Sequence, residues 1–167
     1  FWPTSCIQYN MNRRGTNELD LNEARISIGA AFSAWSEITC EGGGTAKMTF
    51  SAGADISCKK SEFNKTGANV NVVLFQDEKW NYRGIDGTLA KTSVTYSDET
   101  GEILDADIEV NTANNTVTLS DVPGEVDYDL ESIMVHEVGH FIGIAHSADS
   151  NAIMAPSYSP GDIKREL

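Results

Sequence analysis

The amino-acid order predicts an α+β domain, and three observations carry that expectation. An amphipathic helical pattern comes early, with Ala24, Ile28, Ala31, Phe32 and Trp35 recurring at helical spacing up to Thr39. Strand-like runs then fill the middle of the chain, so that a sheet of about five strands is expected once the first run, ahead of the helix, is included. A second helix follows and carries every histidine of the protein. One helix, several strands and a late helix make an α+β order rather than a strictly alternating one. At 167 residues the chain is expected to form one domain, residues 1–167, large enough to bury a real core.

Taken in order, Cys6 to Asn12 alternates Ile7, Tyr9 and Met11 on one face, a strand pattern. Arg-Arg-Gly-Thr-Asn is a turn, and Asp20 with Glu23 three residues on forms a capping-box-like start for the first helix. The glycine run 42–44 is a loop with no following phosphate-site pattern. Strands are expected at Lys47 to Ser51 and at Asn69 to Gln76, the latter rich in β-branched residues and read as central. Asp77 to Gly87 is polar and turn-rich, and Thr88 to Tyr96 is another strand. Leu104, Ala106, Ile108 and Val110 alternate with Asp105, Asp107 and Glu109, which implies one core face and one acidic face. A long polar loop from Asn111 to Asp127 leads to Asp129, placed to cap the second helix, whose buried side holds Leu130, Ile133 and Met134.

Composition bounds the partners. A formal net charge of -13 disfavours nucleic acid and anionic membrane surfaces, both of which would repel the chain. No stretch has the length of apolar sequence needed to span a bilayer. The three cysteines lack zinc-knuckle spacing. Cys40 and Cys58 flank one strand-like segment, where a disulfide would be a short-loop staple of the kind secreted domains carry. Cys6 is then left over, either as a buried apolar thiol or with a partner beyond Leu167.

The chemistry concentrates in His136-Glu137-Val138-Gly139-His140-Phe141-Ile142-Gly143-Ile144-Ala145-His146. Histidines four apart share a helix face about 6 Å apart along the axis, a spacing one metal ion can bridge. In an unbroken helix the third histidine would lie about 15 Å from the first, so the helix must end between them. Gly143 is placed to end it, because glycine takes the left-handed conformation of a helix C′ position without steric cost. His146 can then complete a three-nitrogen site, with Glu137 beside it as a base.

With these residues in view, the chain resembles the metzincin metalloproteases, and among them the matrixins. Besides the longer histidine pattern, Ala-Phe-Ser-Ala-Trp-Ser at 31–36 is similar to the matrixin first helix, and Asp86-Gly87-Thr88-Leu89-Ala90 looks like the family's segment leading into an edge strand. Ser147 follows the third histidine, and Ile153-Met154-Ala155-Pro156-Ser157-Tyr158 resembles the Met-turn and the Pro-x-Tyr pocket wall. The resemblance implies a twisted mixed sheet, an upper subdomain 1–146 and a short lower subdomain 147–167. It also implies one catalytic zinc on His136, His140 and His146, with Glu137 catalytic and Met154 flooring the site. Leu89, Ala90, Pro156 and Tyr158 would bind a protein or peptide substrate, and the protein would be a secreted, monomeric zinc endopeptidase.

Three departures qualify the resemblance. Lys91 and Asp107 stand where matrixins place histidines for a structural zinc, so none is expected. Asp86, Asp105 and Glu109 fall near the family's calcium ligands, and read either as a calcium set or as a solvated acidic face. Residues 163–167 fall where the family's closing helix would start, so that helix is expected to be cut short. The alternative to an enzyme is a metal-stabilised binding or adhesion module with little turnover.

Overall fold

The computed structural model describes residues 1–39, 42–82, 87–122 and 124–167. β1 (Cys6–Met11) leads into α1 (Leu21–Glu37), whose N-terminus is closed by the Asp20 side chain accepting from the backbone N–H groups of Asn22 and Glu23. β2 (Thr49–Ala52), β3 (Val72–Phe75), β4 (Ala90–Tyr96) and β5 (Ile103–Val110) follow. Together with β1 they form one five-stranded sheet in the order β2-β1-β3-β5-β4. All neighbours run parallel except β4 and β5, which are antiparallel, so the sheet is mixed and β4 is an edge strand, as expected. The central strand expected at 69–76 is indeed the third of the five.

The loop expected from Asn111 to Asp127 contains a short strand, β6 (Val117–Thr118), paired in parallel with β7 (Tyr128–Asp129). β7 runs straight into α2 (Leu130–Phe141). Ile28, Ala31, Phe32 and Trp35 of α1 join Ile133, Met134, Val138 and Phe141 of α2 in one core with Ile7, Tyr9, Ala106, Ile108 and Val110 of the sheet. Trp35 also donates its indole N–H to the carbonyl of Val135 at 2.8 Å, which ties the two helices together one residue before His136.

Several expectations change. On β5 the acidic face is not solvated: Asp105, Asp107 and Glu109 are 3%, 2% and 3% exposed. The chain around Ser61 covers them, with the Glu62 N–H donating to Asp107 and the Ser61 hydroxyl to Glu109. Leu104, expected in the core, is 45% exposed, because the β4–β5 register shifts at Thr95/Tyr96 and leaves Ile103 pointing inward instead. Cys6 is an exposed free thiol rather than a buried one.

The Cys40–Cys58 staple is also corrected. Cys58 is a free, exposed thiol, and Cys40 lies outside the described residues. Residues 163–167 do not begin a helix. Arg165 instead forks onto the buried Asp129 carboxylate at 2.6 and 2.9 Å and reaches Asp121, pinning the segment to the start of α2.

Candidate metal centre

Asp129 caps α2 by accepting from the Ser132 N–H and hydroxyl, and Arg165 holds that carboxylate below its ordinary pKa against the opposing effect of burial. The helix then carries His136 and His140 on one face and ends as expected. Gly143 has φ 93, its N–H reaches the carbonyl of His140 and the N–H of Ile144 reaches that of Gly139. These two bonds are the Schellman closure. The reversed chain brings His146 back, so that His136, His140 and His146 each offer a ligand atom within 4.8 Å of the others.

The ring tautomers follow from their partners. Nδ1 of His136 lies 2.8 Å from the carbonyl of Ile153, and Nδ1 of His140 lies 2.8 Å from that of Ile144. A carbonyl can only accept, so each Nδ1 carries the proton and each Nε2 keeps its lone pair. The Nε2 atoms of His140 and His146 stand 3.1 Å apart. Two nitrogens about 2.0–2.1 Å from one tetrahedral ion lie about 3.3 Å apart, so this donor set fits zinc. Burial, with the other two imidazoles, lowers the His136 pKa to about 4, so the ring is neutral and able to ligate across the physiological range.

Glu137 is 6% exposed, and burial raises its carboxyl to about pKa 7, partly opposed by Thr92 and Lys91. The Thr92 hydroxyl on β4 donates to Oε2 and so fixes the carboxylate beside the histidines. A cleft of about 490 Å³ opens over both, lined by Leu89, Ala90, His136, Glu137, Pro156 and Tyr158 among others. Tyr158 donates its hydroxyl to the same Ile153 carbonyl that orients His136. Met154 is buried beneath, and a Cβ on Gly139 would meet its Sδ at 2.3 Å. Leu89, Ala90, Pro156 and Tyr158 thus line the same cleft as the three histidines, and Met154 packs against Gly139 of the histidine helix.

The acidic residues do not join that site. Glu109 accepts from Ser61, Gln76 and Tyr82, and one oxygen of Asp105 is buried without a partner. Asp86 lies outside the described residues. Thr92 and Gly139 went unnoticed in the sequence. Thr92 meets Glu137 only through the fold, whereas Gly139, inside the histidine pattern, carried the signal of a close approach.

The comparisons agree with this geometry. The family profile described as Matrixin matches residues 1–167. Metalloendoproteinase 5-MMP of Arabidopsis thaliana is 29% identical over 147 residues, which cover 87% of this chain and 36% of that protein. Metalloendoproteinase 1-MMP of the same plant is 25% identical over 99% of this chain and 41% of its own length. Metalloendoproteinase 1 of Glycine max is 50% identical over a shorter stretch of 63 residues, 38% of this chain and 20% of that protein. The chain thus spans well under half the length of these relatives.

Proposed function

Because the chain belongs to the matrixin family, we propose that it is a secreted, monomeric zinc endopeptidase acting on protein or peptide substrates, with Glu137 as the base. The observation that carries this reading is the convergence of three imidazoles within 4.8 Å beside a buried carboxylate at the floor of one cleft. His136, His140 and His146 are all the histidines present, so the proposal is one zinc per chain. When bound there, zinc supplies a Lewis acid for the scissile carbonyl and brings the pKa of water toward neutrality.

The chain's own groups do the rest. Glu137 takes a proton from the attacking water and returns it to the leaving amine, a role for which its buried carboxylate, held by Thr92 beside the imidazoles, is placed. Thr92 holds that carboxylate in place, and the Ile153 and Ile144 carbonyls hold the imidazoles. The edge strand entered at Leu89 and Ala90 can pair with an extended substrate backbone. Pro156 and Tyr158 line the same cleft, and in this reading the cleft separates an upper part, 1–146, from a lower part, 147–167. Neither nucleic acid nor membrane is a partner in this reading, in line with the charge of -13. Calcium on the set Asp86, Asp105 and Glu109 stays part of the proposal, supported by the buried Asp105 oxygen that has no hydrogen-bond partner and by the fit of carboxylates to a hard cation.

The test is cleavage of an unfolded protein. Activity abolished by a chelator and restored by zinc, at one zinc per chain, is the expected result. Zinc uptake without any cleavage would instead leave a metal-stabilised binding module.

A further inference from the structure

Part of the cleft lining carries N–H donors that its own contacts leave unused. Lys91 on β4 lines the cleft together with Trp80 and Tyr82. Its ammonium stands 4.4 Å from the centroid of the Tyr82 ring and donates to the Ser93 hydroxyl, yet it forms no ion pair among the described residues. An ammonium has three N–H donors, so two remain for a ligand or water. Trp80 packs edge-on to Tyr82 at 5.0 Å, is 9% exposed, and its buried indole N–H has no partner.

The geometry of this corner is held from below. The Tyr82 hydroxyl donates to Glu109, itself anchored by Ser61 and Gln76, so the ring under the ammonium cannot swing freely. Among the described lining residues Lys91 is the one lysine or arginine and Glu137 the one carboxylate. A cation inside the cleft of a chain with net charge -13 is a local feature, not part of a general field. At physiological ionic strength, charges more than about 8 Å away are largely screened, so contact with Lys91 decides over the acidic surface.

Resting on the endopeptidase reading above, we propose that Lys91, with Trp80 and Tyr82, forms a specificity subsite that selects substrates carrying an aspartate or glutamate side chain. The aromatic faces take the methylene stem and the ammonium takes the carboxylate, a charge-assisted hydrogen bond. Lys91 touches the substrate side chain in this role, while its charge also opposes the rise of the Glu137 pKa, so the subsite is read from the Glu-to-Gln ratio and not from the absolute rate.

The experiment compares peptide pairs that differ only by Glu or Gln at each position around the cleaved bond, using the zinc-loaded chain. At one position the Glu peptide should show about five- to tenfold higher kcat/KM, mainly through KM, and lose that advantage at high salt. Lys91→Gln should abolish the preference, Lys91→Arg should keep it, and Lys91→Glu should favour a Lys peptide. Equal kcat/KM for Glu and Gln at every position, or a preference that survives in Lys91→Gln, would overturn the subsite. If no peptide is cleaved, the endopeptidase reading fails by itself. Equilibrium binding of the same fluorescent peptides then decides the subsite, supported by tighter Glu binding that depends on Lys91 and overturned by equal binding.

Discussion

Gly139 shows how closely the site is packed. A Cβ there would lie 2.3 Å from Sδ and 2.9 Å from Cε of Met154, and 2.9 Å from Cζ2 of Trp35. Met154 can shift, but the Trp35 ring is held by its bond to Val135. Gly139→Ala is therefore expected to cost about 1–3 kcal/mol, read as a lower urea midpoint with an unchanged slope. An unchanged midpoint would show that the Met154 contact is slack. At this scale the three histidines and Glu137 were legible because their chemistry needs residues close together in the chain. Thr92 was not, since it sits 45 residues from Glu137 and meets it only across the β4–α2 contact.

α2 depends on how it ends. Gly143 at φ 93 closes the helix and returns the chain to His146, and a Cβ there would also touch Ile103 Cδ1 at 3.4 Å. Gly143→Ala should cost roughly 1 kcal/mol in strain and weaken zinc retention against a competing chelator, because His146 is the ligand beyond the turn. Retention equal to the parent would mean that His146 reaches the site by another route. This stop signal was plain in the order of residues, since a glycine after an apolar helix has few other uses. β5 was half legible. Its alternation showed the strand, but nothing local revealed that the chain near Ser61 would bury the acidic face.

The whole molecule inherits a pH dependence from that burial. Desolvation raises Asp105 from 3.8 to about 6 and Asp107 from 3.8 to about 7. A raised folded pKa means that the folded state holds the proton more tightly, so this stabilisation is complete below about 3.8 and is lost as pH rises through about 6 and 7. His136, lowered to about 4, acts in the opposite sense below its ordinary 6.5. Between about pH 5 and about pH 8 the melting temperature of the parent should therefore fall more steeply than that of Asp107→Asn. Parallel curves would contradict the burial of a protonated Asp107, and added calcium should lessen the parent's loss at the upper end.

The sheet and two helices followed from periodicity, but their assembly around the cleft did not. The β2-β1-β3-β5-β4 order depends on pairing between distant strands, and the tail is fixed by Arg165 on Asp129, 36 residues away in the chain. Both shape a single cleft lined by Pro156, Tyr158, the start of the edge strand, three imidazoles and one carboxylate. The most direct measurement is proteolysis by the parent and by Glu137→Ala, each loaded with zinc and assayed on the same unfolded protein. Both should hold one zinc, and the variant should be slower by about a hundred- to ten-thousandfold. Cleavage by the zinc-loaded variant at the parental rate would show that Glu137 is not the base.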